Sequence, residues 1–138
     1  MIAPDSSVVI AALTPWHEMH DQARSAMAGR PIRLPAQVAF ETTSALSRMP
    51  EGRRIAPDIV LDALQRAFPA PWLSLDGDGL RGAVQRAVQA GVRGGALYDA
   101  LIGATALSHG AEILSADRRA LATYRAIGVG ARLLDSAG

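Results

Sequence analysis

Cysteine and lysine are both missing from this chain of 138 residues. Without cysteine, disulfide bonds and thiolate metal sites are excluded. All fourteen basic side chains are arginine, so any reaction that needs a catalytic lysine is excluded as well. We interpret the missing lysine as a preference for arginine codons in the source genome; the alternative is selection for bidentate contacts with phosphate, which arginine suits.

Long apolar runs are absent too. The longest ones, at 8–13 and 100–107, are too short to cross a bilayer. No basic segment precedes the first apolar run, so we expect no signal peptide, no membrane contact and a cytoplasmic protein. A net charge of +1 excludes a bulk binder of polyanions. The length and the apolar fraction of 49% predict one globular domain over residues 1–138.

Short apolar segments alternate with helical patterns along the whole chain. Predicted strands cover residues 2–5, 32–34, 72–75, 112–115 and 129–134. Predicted helices cover residues 6–13, 16–27, 37–49, 57–68, 78–91, 97–109 and 117–126. Ser6 or Ser7 is the expected cap of the first helix. This alternation predicts an α/β fold with a mostly parallel sheet that is covered by helices.

Acidic residues fall where the strands of such a sheet end. Asp5 ends the first predicted strand and Asp117 follows the fourth. Asp99 begins a helix whose next residues are almost all small or apolar, and Glu41 lies beside an apolar helical stripe. Because the carboxyl ends of parallel strands share one edge, we expect these carboxylates to meet there.

Each acid also has a simpler explanation when it is taken alone. Asp5 and Asp117 fit helix N-caps, and Asp99 fits a first-turn acid that the helix dipole favours. Their joint placement is what favours a function. Crowded carboxylates repel each other, and a hard divalent cation such as Mg²⁺ relieves that repulsion.

Four motifs together resemble the PIN domain, and most closely the VapC-type toxins of bacterial toxin–antitoxin pairs. They are "MIAPDSSVVIAAL", a lone Glu41 in a helix, "LYDALIGATAL" and "ILSAD", in that order and at similar intervals. The resemblance covers essentially the whole chain. Pro4 departs from it, because many relatives have an apolar strand residue there.

The resemblance implies a three-layer α/β/α fold and an Mg²⁺- or Mn²⁺-dependent endoribonuclease. Its acidic quartet falls on Asp5, Glu41, Asp99 and Asp117, with Ser6 and Ser115 as supporting hydroxyls. Asp5, Asp99 and Asp117 would hold the metal, and Glu41 would orient or deprotonate the attacking water. The family also implies a homodimer and a VapB-like antitoxin encoded nearby.

Arginines near these acids are candidates for contacts with the RNA backbone. Arg93 precedes Asp99, and Arg118 and Arg119 follow Asp117. The alternative for the last two is a solvated helix start.

Other functions remain open at this stage. A non-catalytic PIN-like module that binds RNA or protein fits the same motifs, and so does a nuclease that acts on DNA. A phosphoacceptor receiver domain needs a lysine near its last strand and is excluded. The motif "HEMHD" fails the histidine spacing of a zinc-protease helix, and we expect a surface helix there.

Overall fold

A computed structural model describes residues 1–135 and contains seven helices and three strands in that range. The strands are β1 (Ile2–Pro4), β2 (Glu112–Ser115) and β3 (Ala131–Leu133). The helices are α1 (Ser6–Leu13), α2 (His20–Met27), α3 (Ala36–Ser47), α4 (Pro57–Ala67), α5 (Gly77–Gln89), α6 (Ala96–Ser108) and α7 (Ala120–Ile127). None of these helices is long and apolar enough to cross a membrane.

The sheet is parallel, with β2 between β1 and β3. Ala3 pairs with Ile113, and Leu114 pairs with Arg132. Two further segments extend the sheet by single bridges, between Ile2 and Ile32 and between residues 35 and 73. The predicted α/β fold with a mostly parallel sheet is therefore confirmed.

The predicted strands at 32–34 and 72–75 are wrong as full strands, because each contributes a single bridge. Proline limits both segments. Pro31 and Pro35 flank the first segment and Pro71 precedes the second, and these residues have no N–H group to donate to a ladder.

Pro4 fits into β1 at little cost. The N–H of Ile2 points toward the bridge at Ile32 and donates to Pro31 O, whereas the N–H of Asp5 donates to Leu114 O at 2.9 Å on the β2 side. Since hydrogen-bonding direction alternates along a strand, the nitrogen of Pro4 points away from β2. The β1–β2 ladder loses no hydrogen bond at this position.

Alternate strand residues pack on opposite faces of the sheet. On one face, a buried cluster joins β-strand and helix residues Ile2, Leu114, Val8, Ala11 and Ala23. On the other face, a larger buried cluster includes Ala3, Ile113, Ile102, Ala106 and Tyr124. Helices on both faces give the three layers that the resemblance implies.

Two predicted helix starts are displaced by local hydrogen bonds. The helix predicted from residue 16 begins at His20, because the ring Nδ1 of His17 accepts the N–H of Met19 at 3.0 Å and holds a turn there. The helix predicted from Asp117 begins at Ala120, because residues 117–119 form a turn. Asp117 is therefore not the N-cap of that helix.

Aspartates cap α1 and α5. Asp5, rather than Ser6 or Ser7, caps α1, and Asp76 caps α5 through a 2.7 Å bond from Gly79 N–H. Pro57 occupies the first turn of α4 as predicted. Helix α6 ends before Gly110, whose φ of 68° suits glycine.

Candidate active site

Asp5 lies at the end of β1 and is almost completely buried, with 3% of its surface exposed. Its Oδ1 accepts the N–H of Ser7 at 3.1 Å and the N–H of Val8 at 3.3 Å, and also a short hydrogen bond from the Ser7 hydroxyl. Its Oδ2 accepts the hydroxyl of Tyr124 at 2.8 Å. Asp5 thus caps α1 with one oxygen and faces the interior with the other.

Glu41 projects from the middle of α3 into a cleft of about 420 Å³. Ser6, Gln37, Arg48 and Tyr98 line the same cleft. Burial raises the pKa of Glu41, the Gln37 amide and the Ser6 hydroxyl act in the opposite direction, and the charge of Asp5 raises it further. The Oε1 atom of Glu41 is buried without a hydrogen-bond partner among residues 1–135.

Asp99 lies in the first turn of α6 and is half-buried. Burial is the largest cause that raises its pKa from 3.8 to about 6, and the negative charges of the other three acids raise it further. The other three are Asp5, Glu41 and Asp117. The four acids, from distant parts of the sequence, are therefore near enough to repel one another.

Asp117 lies in the turn between β2 and α7, and Ser115 fixes that turn. The buried Ser115 hydroxyl oxygen accepts the N–H of Asp117 at 3.0 Å. Asp117 Oδ1 accepts the N–H of Arg119 at 3.0 Å, and the Arg119 guanidinium lies 3.7 Å from the same oxygen. Because both side chains are exposed, this ion pair holds Asp117 weakly.

The donor set suits a hard divalent cation. All four side chains offer carboxylate oxygens, and Glu41 Oε1 lacks any partner in the described range although it is buried. Within that range, no three of these side chains already stand in a ligating arrangement. This looser spacing is compatible with Mg²⁺, which keeps several waters and takes one or two carboxylates directly.

The predicted arginines differ in their placement. Arg93 is exposed in the loop before α6, and Arg118 is exposed in the turn after Asp117. Arg119 is held next to Asp117 as described above. A larger cleft of about 690 Å³ lies between α5 and the end of α6, and none of the four acids lines it.

Sequence reasoning missed three residues at this site. Ser7 and Tyr124 both bond to Asp5, and Arg48 lines the cleft beside Glu41. The only sequence signal for Arg48 is its position seven residues, about two helical turns, after Glu41. Nothing in the local sequence pairs Tyr124 with Asp5, because 119 positions separate them.

Comparison with known proteins decides the family. The family model described as "PIN domain" matches residues 2–126. The chain belongs to the PIN domain family. Ribonuclease VapC40 of Mycobacterium tuberculosis is 42% identical over 134 residues, which cover 97% of this chain and 99% of that protein. Ribonuclease VapC27 of the same organism is 36% identical over 128 residues, with 93% of each chain covered.

Solved structures of other proteins share this fold. FitAcB from Neisseria gonorrhoeae superposes with a TM-score of 0.69 at 18% identity, covering 95% of this chain and 96% of that one. PAE2754 from Pyrobaculum aerophilum superposes with a TM-score of 0.62 at 20% identity, covering 96% of this chain and 90% of that one. At identities this low, the superposition shows that the fold is shared and nothing more. The sequence-based prediction of a VapC-type toxin ribonuclease is confirmed at the level of the family by the closer relatives.

Proposed function

We propose that this PIN domain is a metal-dependent endoribonuclease that acts as the toxin of a toxin–antitoxin pair. The observation that carries the proposal is the carboxyl of Asp99, whose pKa is raised to about 6 by burial and by the other three acids. A protein that keeps four mutually repelling carboxylates together is less stable for it. A bound divalent cation is the ordinary compensation for that cost.

Asp5 and Asp99 would hold the ion directly, and Asp117 directly or through water. A bound Mg²⁺ would supply a lowered pKa for the attacking water and would offset negative charge on the scissile phosphate. Glu41 would orient the attacking water and take its proton on the carboxylate that lines the cleft. Its raised pKa makes Glu41 a better base near neutral pH than an exposed glutamate.

The hydroxyls near the acids support them in different ways. Ser115 holds the turn that presents Asp117, and Ser6 faces Glu41 across the cleft. Arg48, at the rim of the cleft, is placed to hold an RNA phosphate, and Arg93, Arg118 and Arg119 extend that role around the acids.

We assign the contact of the expected homodimer to one apolar surface. We define the α5–α6 apolar surface by Phe40, Leu80, Val84, Tyr98 and Leu101. Leu80 and Leu101 each line two adjoining depressions there, and Phe40 and Tyr98 also border the catalytic cleft. A homodimer through this surface would bring two clefts together. The other partner is an antitoxin, whose arginine or lysine would satisfy the carboxylates in place of the metal.

The test is cleavage of defined transcripts by the purified chain, alone and with its genomic neighbour. We expect cuts that end in 5′-phosphate and 3′-hydroxyl groups, that stop with EDTA and return with Mg²⁺. RNA that is bound and never cut would favour the non-catalytic module. Cleavage of DNA of the same sequence at a comparable rate would favour the DNA nuclease.

A further inference from the structure

The buried phenol of Tyr124 reaches the first acid from α7. Its hydroxyl donates a 2.8 Å hydrogen bond to Asp5 Oδ2, and its side chain is fully buried. We propose that Tyr124 is a positioning residue of the active site, which holds Asp5 Oδ2 in the direction needed to ligate a divalent cation. This inference rests on the proposed function, in which Asp5 is a metal ligand.

The two oxygens of Asp5 have different tasks. Oδ1 accepts three hydrogen bonds, from the N–H and hydroxyl of Ser7 and from the N–H of Val8, so its acceptor capacity is used by the helix cap. Oδ2 accepts from Tyr124 alone among the described residues. Each carboxylate oxygen has two lone pairs, so Oδ2, which accepts one bond, keeps one lone pair for a metal.

Because Tyr124 bonds to that same oxygen, the phenol decides where its remaining lone pair points. Metal-ligating carboxylates commonly accept such a bond from a neighbouring side chain, which fixes their orientation. A phenol is also neutral as a donor. Unlike an arginine in the same place, Tyr124 leaves the negative charge of Asp5 available to a cation.

The ring of Tyr124 is itself fixed by a close approach of α6. A Cβ atom added at Gly103 would lie 3.2 Å from Cδ1 of Tyr124 and 3.2 Å from Cγ1 of Val129. Gly103 also lies four residues after Asp99 on the same helix, about one turn away. The ring is therefore fixed against the helix that carries the second proposed metal ligand.

If Tyr124 had only a structural role, the protein would need its ring but not the hydrogen bond from its hydroxyl to Asp5. The variant Tyr124→Phe keeps the ring and removes only the hydroxyl. Thr105→Val is the matched control, because it removes another buried hydroxyl, whose 2.8 Å bond goes to Leu101 O within α6. Binding of Mn²⁺ in the absence of RNA is measured by calorimetry, and folding by circular dichroism.

We expect Tyr124→Phe to bind Mn²⁺ about 10–100-fold more weakly than the unchanged chain, as for other groups that orient metal ligands. Its kcat for RNA should fall while KM stays the same. Thr105→Val should bind Mn²⁺ within about twofold of the unchanged chain. If Tyr124→Phe does not fold, Gly103→Ala takes its place, because it keeps the hydroxyl and displaces the ring; we expect weaker Mn²⁺ binding there too.

Asp5→Asn separates this inference from the proposed function. If Asp5→Asn loses Mn²⁺ binding and Tyr124→Phe binds like the unchanged chain, the positioning role of Tyr124 is wrong. Unchanged affinity in a folded Gly103→Ala, where that variant is the one tested, would overturn it equally. If Asp5→Asn itself binds Mn²⁺ normally, Asp5 is not a ligand and the proposed function fails first.

Discussion

Ser7 Oγ accepts a 2.8 Å hydrogen bond from the N–H of Ala116, a residue 109 positions away. The same hydroxyl donates to Asp5 Oδ1, so one side chain joins the start of α1 to the loop after β2. Asp117 follows Ala116 directly. Ser7 therefore ties the first acid to the segment that carries the last one, in addition to the pairing of β1 with β2.

We expect Ser7→Ala to loosen the link between the start of α1 and the loop after β2. The variant leaves the half-buried N–H of Ala116 without its acceptor and removes one donor from Asp5, which should cost about 1–2 kcal/mol of unfolding free energy. For a domain of this size the melting temperature should fall by about 3–6 °C. Ser6→Ala is the control; an equal fall there would show that the Ala116 bond is not the cause.

Asp99→Asn should stabilise the metal-free protein above pH 6. The folded pKa of Asp99 is raised from 3.8 to about 6. Well below pH 4 both states hold the proton and the ionisation of Asp99 does not affect stability. As pH rises from 4 to 6, the unfolded chain releases a proton that the folded chain keeps, so folding becomes less favourable.

Asparagine does not ionise, so the variant does not lose folding free energy as the pH rises. Because Asp99 is only half-buried, solvent screening reduces the gain to about 1 kcal/mol, or about 3 °C in melting temperature. Thermal unfolding in EDTA at pH 4 and pH 7.5 measures it. A stabilisation of the same size at both pH values would contradict the electrostatic explanation.

Arg48→Ala should weaken RNA binding by removing one phosphate contact. We expect KM to rise several-fold with kcat unchanged, and the slope of log affinity against log salt to become shallower by about 1. Arg54→Ala is a close control. In both arginines the Nε donates to a backbone carbonyl at 3.1 Å, but Arg54 does not line the cleft. Equal effects in the two variants would contradict a specific role for Arg48.

Val84→Arg should disrupt a homodimer built on the α5–α6 apolar surface. Val84 is 59% exposed in the single chain, and a symmetric interface would bury two unpaired guanidinium groups close together. Dimer affinity should fall by about 100-fold or more. Sedimentation measures it, and Ile59→Arg, on an exposed position of α4, is the control. Dissociation by Ile59→Arg alone would move the interface to α4.

The proximity of the four acids could be predicted because the fold class and their positions along the chain constrain where they lie. Strand ends in a parallel sheet share an edge, so Asp5 and Asp117 could be placed together from the sequence pattern. Asp99 could be singled out as a candidate because a carboxylate in the first turn of a buried helix is unusual. The residues that support these acids could not be found in the same way.

Tyr124, for example, occupies an ordinary buried position on the amphipathic helix α7, and any apolar residue would satisfy that pattern. Its bond to Asp5 depends on how closely α6 approaches α7, which depends in turn on Gly103. The displaced start of α2 has a similar cause. There a side chain, His17, competed with the helix for a backbone N–H, and periodicity carries no information about that competition.

The most direct test of the account is the cleavage of one defined RNA by the unchanged chain and by Asp99→Asn, each with Mg²⁺ and with EDTA. We predict that the unchanged chain with Mg²⁺ yields 5′-phosphate and 3′-hydroxyl ends, and that EDTA or Asp99→Asn reduces the rate by at least about 100-fold while the fold is kept. Cleavage that persists in EDTA, or products that carry a 2′,3′-cyclic phosphate, would contradict a metal-assisted attack of water on the phosphate.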